Sequence, residues 1–193
     1  MSTGESIQLV VGLGNPGSQY TATRHNVGYW LVDELARKYC VTLKRESKFK
    51  GEAARIHVCG QDIWLLKPET FMNLSGQSVS ALARFYKIPT EQILVIHDDL
   101  DLDPGVAKLK SGGGHGGHNG LRDISEKLGK QYQRLRLGIG HPGHRNQVSD
   151  YVLKKPSQDD RISIERAIDR VMDVFELIVK GESQKAMNQL HSG

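Results

Sequence analysis

Apolar residues follow two patterns in turn along the chain, one typical of strands and the other typical of helices. Runs of strand length, continuously apolar or alternating with polar residues, occupy residues 7–13, 53–58, 63–66, 93–96, 106–110 and 134–139. Apolar residues three and four positions apart predict helices over residues 27–39, 75–88, 121–128, 157–179 and 183–190. Ser75 is the predicted N-cap of the second helix. The pattern predicts one α/β domain, residues 1–193, with a mixed twisted sheet of about six or seven strands flanked by helices.

The first strand leads into a polar loop that is a candidate functional site. Residues 10–28 read VVGLGNPGSQYTATRHNVG, so glycines and a proline break the strand before the helical pattern begins near Val27. Catalytic groups tend to lie on loops that a rigid scaffold holds. His25, between Arg24 and Asn26, could act as a general base near neutral pH. The alternative is a surface histidine without a chemical role.

Residues 12–17 also match the dinucleotide-binding pattern G-x-G-x-x-G. That motif requires its last glycine to open a helix whose N-terminus meets the pyrophosphate. Here the helical pattern begins ten residues after Gly17, and polar residues intervene. Asp33 lies inside the predicted helix, where it is not placed to hold a ribose hydroxyl. The stretch therefore does not predict a nicotinamide or flavin site.

A second candidate group stands where the apolar run 93–96 ends, in the sequence HDDLD. Strands buried on both faces are typical of α/β sheets, whose ligands gather at the carboxyl ends of the strands. Asp98 could fix the tautomer of a histidine and stabilise its protonated form, or it could cap a turn. Counting from Asp99, the acids that follow do not match a calcium loop, because position twelve is Lys110 rather than glutamate.

Residues 111–120, the glycine loop, contain six glycines. Such a loop could let a large ligand approach the backbone, could move, or could simply connect two elements. Asn119 lies at the end of the loop and enters the next predicted helix. The N-terminal amides of that helix could meet an anion.

Zinc-dependent hydrolysis is an alternative that the histidines raise. His115 and His118 are three residues apart, as are His141 and His144. The spacing on glycine-rich loops fixes no geometry and there is no H-E-x-x-H motif, so no metal and no cofactor is expected. No serine lies in a G-x-S-x-G turn, and neither cysteine has a setting that suits a nucleophile. A hydrolase with this sequence would therefore use water as the attacking group.

The charge of the chain favours an anionic partner such as nucleic acid, since the net charge is +4. Alternation places Lys108 and Lys110 on one face of a strand, and Arg134 and Arg136 on one face of another. A solvated strand face is the alternative for the two lysines. An RNA-binding module without catalysis would account for these basic faces, but it would leave the candidate base and acid without a role.

The sequence predicts neither export nor a membrane span. Residues 1–6 are polar, and no apolar run approaches the roughly 18 residues that cross a bilayer. Cys40 and Cys59 form no C-x-x-C pair and are typical of a reducing cytoplasm. We therefore expect a cytoplasmic protein without membrane contact.

The chain contains, in order, GLGNPGxxYxxTRHNxG, KPETFMNLSG, HDDLDLDPGxxKxK, GGGHGGHNGL and RLRLGIGHP. These motifs resemble those of bacterial peptidyl-tRNA hydrolases, and the similarity extends over about residues 7–190. The resemblance implies a peptidyl-tRNA hydrolase-like fold and a monomeric, metal-independent esterase without an obligate protein partner. Its substrate would be peptidyl-tRNA, cleaved at the ester between the peptide and the 3′ ribose, so that tRNA released from stalled ribosomes is recycled. Asp99 is a departure, because relatives often carry glutamate there.

The resemblance also implies roles for particular residues. His25 would activate water, Asp98 would hold and polarise His25, and Asn15 would help to select substrates with a blocked amino group. The residues lining the peptide and 3′-end site would be Tyr20, Phe71, Met72, Asn73 and Asn119. The residues binding phosphates of the tRNA acceptor stem would be Lys108, Lys110 and Arg136. Whether an amide of Asn15, Asn73 or Asn119 stabilises the oxyanion is left open by the sequence.

Overall fold

The computed structural model describes residues 5–192, so most of the polar stretch 1–6 and the last residue of the predicted domain lie outside the described residues. The strands are β1 (Leu9–Gly12), β2 (Lys44–Glu46), β3 (Gly51–Val58), β4 (Gln61–Pro68), β5 (Ile93–Asp99), β6 (Ala107–Ser111) and β7 (Gln133–Gly138). The helices are α1 (Val27–Lys38), α2 (Ser75–Phe85), α3 (Asn119–Leu128), α4 (Val148–Val152), α5 (Gln158–Val179) and α6 (Ser183–Ser192).

Within the described residues, the strands form one seven-stranded sheet in the order β2-β3-β4-β1-β5-β7-β6. The central strands β4, β1, β5 and β7 pair in parallel, and antiparallel pairs add β3 and β2 at one edge and β6 at the other. Helices α1, α5 and α6 cover one face, and α2 and α3 cover the other. The parallel strands therefore end together at one edge of the sheet, where ligands of such folds gather. The predicted mixed sheet of six or seven strands is confirmed.

Three local differences from the predicted elements have physical causes. Strand β5 continues beyond its apolar run to Asp99, because its ladder with β7 continues as far as the pair Asp99 and Gly138. The charged edge strand β2 and the short helix α4 were not predicted, since neither has an apolar run long enough to stand out. Ser75 is not an N-cap: its hydroxyl donates to the Met72 carbonyl oxygen at 2.7 Å. The carboxylate of Asp123, on α3, instead accepts the Gly76 amide at 2.7 Å.

Gly12, the first glycine of the G-x-G-x-x-G match, packs against the backbone of helix α1, so the space beside it is filled by that helix rather than open to a nucleotide. A Cβ on Gly12 would lie 2.2 Å from the Gly28 carbonyl oxygen, and a Cβ on Gly28 would lie 2.5 Å from that of Ile96. Helix α1 thus crosses β1 and β5 at backbone contact. Two short 3₁₀ turns, Ser18–Tyr20 and Arg24–Asn26, separate β1 from α1. None of the helices in the described part of the chain is long and apolar enough to cross a membrane.

The contact between α1 and the sheet predicts a large stability difference between two identical substitutions. Gly28→Ala should lower the free energy of unfolding by about 1–3 kcal/mol or more, because the added methyl must displace backbone atoms. Gly114→Ala is the matched control, since nothing lies within 4 Å of its Cβ position and its φ is not positive. Urea denaturation of both variants measures the difference, and equal midpoints would contradict this account of the packing.

Candidate active site

Three elements bring ionisable side chains together at the carboxyl edge of the sheet. His25 lies in the 3₁₀ turn Arg24–Asn26 directly before α1, Asp98 lies near the end of β5, and His118 precedes α3. The Leu13 amide donates to the Ile96 carbonyl oxygen at 3.0 Å, which holds the loop after β1 against β5. The structure thus joins the predicted base, His25, to the predicted acid, Asp98.

The buried carboxylate of Asp98, 4% exposed, accepts a hydrogen bond from each of two histidines. His25 Nδ1 lies 2.8 Å from Oδ2, and His118 Nε2 lies 2.8 Å from Oδ1. An ionised carboxylate can only accept, so we assign a proton to each of these two nitrogens. The Nε2 atom of His25 then keeps its lone pair, which is the form that a general base requires.

His118 has a second function, because it also caps a helix. Its Nδ1 accepts the backbone amide of Gly120 at 3.1 Å and that of Leu121 at 3.4 Å, at the N-terminus of α3. These bonds leave the ring proton on Nε2, where it faces Asp98. The Nε2–H of His118 is therefore oriented as a donor to Asp98, a role that sequence reasoning missed because histidine gives no N-cap signal.

Burial and charge act in opposite directions on the site. Burial raises the pKa of Asp98, but the charges of His25 and His118 and their hydrogen bonds hold it well below its usual range. Burial lowers the pKa of His25, but the charge and hydrogen bond of Asp98 outweigh this effect and raise that pKa above the usual value for histidine. The pKa of His97, which is buried beside His118, falls to about 4 through burial and the charge of His118. His97 is therefore neutral at physiological pH.

The same three residues are a candidate metal-ligand set, since one donor atom from each of His25, Asp98 and His118 lies within 4.8 Å of the others. A metal-bound histidine normally donates its other ring N–H to an acceptor. His118 does the opposite, because its other nitrogen accepts backbone amides. A metal on Nε2 would move the proton to Nδ1 and break the cap of α3. The hydrogen bonding therefore favours His25, Asp98 and His118 joined by hydrogen bonds over the same residues bound to a metal ion.

The histidine pairs that suggested zinc are engaged in their own turns. His115 Nδ1 accepts the Gly117 amide at 2.9 Å, and His144 Nδ1 accepts the Asn146 amide at 3.3 Å. Within the described ranges, the set of three potential ligands contains His118 but no member of the second pair. Within the described residues, the two histidine pairs that raised the zinc alternative do not come together in one set of ligands.

Asn15 is fixed by hydrogen bonds on both its backbone and its side chain. The Asn26 side chain accepts the Asn15 amide at 2.9 Å and donates to the Asn15 carbonyl oxygen at 3.0 Å. The side-chain oxygen of Asn15 accepts the Met72 amide at 2.7 Å. Its Nδ2 has no partner among the described residues, so the free end of Asn15 is a donor. Sequence reasoning missed Asn26 because its role depends on the fold of the loop.

The other predicted lining residues differ in how far they are buried. Met72 is buried against the start of α3, where a Cβ on Gly120 would lie 2.8 Å from its sulfur. Phe71 is 59% exposed, and Asn73 is exposed in the turn Met72–Leu74. Tyr20 is half-buried in the turn Ser18–Tyr20. The contact of Met72 with α3 joins the loop of Asn15 to that of His118.

A cavity of about 630 Å³ opens on the other side of Asp98. It lies between the glycine loop and α4, and both His25 and Asn119 line it. The basic residues in its wall are Lys110, Arg134, Arg136 and Arg145. Its volume is within the usual range of small-molecule sites, which is about 300–1,000 Å³.

The predicted basic residues lie together beside this cavity but differ in their partners. Lys108 and Lys110 are exposed on β6 and pair in register with Arg136 and Arg134 of β7. Neither lysine has an ion pair within residues 5–192. Arg136 donates to Asp99 at 2.8 Å, so its charge is partly compensated.

Two buried arginines, neither of them predicted as a site residue, hold the walls of the cavity. Arg134 donates to the carbonyl oxygens of Gly113 and Gly114 in the glycine loop. Arg24 donates to the Tyr151 carbonyl oxygen at 2.9 Å and stacks on the Tyr151 ring at 3.7 Å, which fixes α4. Alternation along a strand does not distinguish a buried arginine from an exposed one, so the sequence carried no signal for Arg134.

Comparisons with known proteins give one consistent result. A family model described as peptidyl-tRNA hydrolase matches residues 9–193. The peptidyl-tRNA hydrolase of Haemophilus influenzae is 58% identical over 188 residues, 96% of this chain and 97% of the relative. That of Pectobacterium atrosepticum is 55% identical over 189 residues, 97% of each chain. The crystal structure of peptidyl-tRNA hydrolase from Acinetobacter baumannii matches with a TM-score of 0.94 at 50% identity, covering 98% of this chain and 97% of that chain.

The electrostatics of the site predict the direction of a titration. In the intact protein the pKa of His25 should lie above the usual value for histidine, and Asp98→Asn should lower it, because burial then acts without the opposing carboxylate. NMR titration of the histidine ring protons measures both. Asp99→Asn is the control, since Asp99 pairs with Arg136 rather than with His25. An unchanged His25 pKa in Asp98→Asn would contradict the assigned hydrogen bond.

Proposed function

This chain belongs to the peptidyl-tRNA hydrolase family, and we propose that it hydrolyses the ester between the peptide and the 3′ ribose of peptidyl-tRNA. The family membership confirms the resemblance carried by its sequence motifs. The observation that carries the mechanism is the hydrogen bond between His25 Nδ1 and Asp98, which leaves Nε2 of His25 as a base in the cavity wall. Such a base can activate water.

The proposed reaction needs one water molecule and no cofactor. Nε2 of His25 takes a proton from water as the water oxygen attacks the ester carbonyl, and Asp98 stabilises the imidazolium that forms. The tetrahedral intermediate then collapses, and the bond to the ribose oxygen breaks. His25 returns its proton to that oxygen, giving a tRNA with its 3′ hydroxyl restored and a free peptide carboxylic acid, which releases its proton to solvent and becomes the carboxylate.

Asn15 supports a preference for blocked amino groups. Its side-chain oxygen is occupied by the Met72 amide, so Nδ2 can donate to a carbonyl oxygen but cannot receive an N–H. A blocked amino group carries such a carbonyl, whereas a free aminoacyl group presents an ammonium donor. Tyr20, Phe71 and Asn73 would line the peptide beyond it.

The basic strand faces support binding of the tRNA acceptor stem and 3′ end. Lys108 and Lys110 are exposed on one face of β6, and Arg136 lies beside them on β7. Asn119 lines the cavity between these residues and the base, His25. We further propose that the enzyme acts as a cytoplasmic monomer that recycles tRNA from peptidyl-tRNA released by stalled ribosomes.

Removal of the base tests the mechanism. His25→Ala should lower kcat for N-acetylaminoacyl-tRNA by about a hundred- to ten-thousand-fold, with tRNA binding retained, because loss of a general base costs that much. His57→Ala is the matched control, since His57 is exposed on the β3–β4 hairpin. Activity of the intact chain should also survive EDTA. Near-normal turnover by a folded His25→Ala variant would reject the mechanism, and loss of activity on chelation, restored by zinc, would favour the metal alternative.

Replacing the hydrogen-bond donor of Asn15 by an acceptor tests the preference for substrates with a blocked amino group. Asn15→Asp keeps an oxygen for the Met72 amide but replaces the free donor with an acceptor. The ratio of kcat/KM for N-acetylaminoacyl-tRNA to that for free aminoacyl-tRNA should fall by about tenfold, roughly one charge-assisted hydrogen bond. Asn146→Asp, on the exposed turn before α4, is the control. A constant ratio would assign Asn15 a different role.

A further inference from the structure

A buried arginine of β7 binds the middle of the glycine loop to the sheet. Arg134 on β7 is 2% exposed, and two of its terminal nitrogens donate to the carbonyl oxygens of Gly113 and Gly114. Its guanidinium lies 4.4 Å from the centre of the Tyr132 ring. The Tyr132 hydroxyl is in turn hydrogen-bonded to Ser125 of α3 at 2.9 Å. The anchor is therefore fixed within the core, although the loop contains six glycines.

This anchor determines the direction of two backbone amides. In a planar trans peptide the N–H points opposite to the C=O of the same group, and no peptide bond in the described chain is cis. The N–H groups of Gly114 and His115 therefore point away from Arg134. Neither has a hydrogen-bond acceptor among the described residues. Two consecutive free donors thus lie on the outer side of the glycine loop.

Positive charge surrounds these donors. Lys110 approaches the loop so closely that a Cβ on Gly113 would lie 2.9 Å from its Nζ. The buried guanidinium of Arg134 polarises the two peptide groups that it binds, which strengthens their N–H donors. Of the nearby acids, Asp99 is paired with Arg136, and Asp101 is exposed in the cavity wall. The cationic groups therefore dominate at the loop itself.

The loop also has a defined position relative to the base. Gly114, His115 and Lys110 line the same cavity as His25. Three residues after His115, His118 binds Asp98. A group bound at the loop amides would therefore lie beside the cavity that the reacting ester must also reach.

We propose that the amides of Gly114 and His115, with Lys110, bind a phosphodiester of the single-stranded 3′ end of tRNA, and that Arg134 positions them. The proposal rests on the proposed function and adds two backbone amides of the glycine loop to the contacts already proposed for Lys108, Lys110 and Arg136. Backbone amides in a concave loop are a common way to bind phosphate. Arg134 does not touch the phosphate, and acts through the loop.

Kinetics of Arg134→Gln test the positioning role. KM for N-acetylaminoacyl-tRNA should rise by about tenfold, and the salt dependence should weaken by about 0.7 log units per decade of salt, the value for one single-strand phosphate contact. Hydrolysis of a phosphate-free substrate, the N-acetylaminoacyl ester of adenosine, should change by less than about twofold. Arg84→Gln is the matched control: it removes the same charge and a bond to the Lys127 carbonyl oxygen, far along α2.

The two substrates separate the outcomes. If Arg134→Gln slows hydrolysis of the adenosine ester as much as that of the tRNA substrate, Arg134 positions the base, His25, or stabilises the fold, and the proposal is wrong. If neither substrate is affected, the loop binds no phosphate. Failure of the intact enzyme to cleave the adenosine ester at all would count against the proposed function instead.

A second measurement uses the intact chain and does not depend on the folding of a variant. Amide NMR spectra would be recorded with the dinucleotide cytidylyl-adenosine and, separately, with cytidine plus adenosine at the same concentration. The Gly114 and His115 amides should shift more with the dinucleotide, because only it carries a phosphodiester. Equal shifts, or shifts confined to other residues, would overturn the proposal.

Discussion

The buried carboxylate of Asp98 is the constraint on which the site depends. A charge at 4% exposure is costly unless hydrogen bonds compensate it, and here two histidine N–H groups do so. The two histidines come from different elements, the turn before α1 and the N-cap of α3. The carboxylate of Asp98 therefore holds both elements against the end of β5. Loss of one partner from such a pair costs about 3–5 kcal/mol, since it leaves the remaining charge uncompensated. The constraint therefore organises the backbone as well as the chemistry.

The packing beneath the carboxylate makes that arrangement possible. Because Gly12 and Gly28 let α1 approach the sheet at backbone contact, the turn that carries His25 lies directly over the end of β5. On the opposite side, His118 can serve Asp98 only while its other nitrogen accepts the amides of α3. The tautomer of each ring is thus set by its surroundings. A base whose proton position is fixed in advance needs no rearrangement before it accepts a proton from water.

Sequence patterns predicted most of the strands and helices, and part of the hydrogen-bonded group around Asp98. Apolar runs and helical spacing identify most strands and helices, and the end of a buried strand points to Asp98. They do not identify β2, whose three residues are charged and form a strand only by pairing with β3. Nor do they identify His118 as a donor, because that depends on a cap and a tautomer. Arg134 and Arg136 alternate on one face of β7, yet only the structure distinguishes the buried loop anchor from the partner of Asp99.

The distribution of charge around Asp98 fits the two unlike halves of a peptidyl-tRNA. The tRNA half is always anionic, and the cavity beside the glycine loop carries Lys110 and two buried or paired arginines. The peptide half varies in sequence, and the groups that bind Asn15 directly are the uncharged side chain of Asn26 and the backbone amide of Met72. During reaction the imidazolium of His25 and the carboxylate of Asp98 would form a neutral pair. The developing oxyanion would then be the uncompensated charge, and neutral donors could stabilise it without attracting the tRNA phosphates into the peptide side.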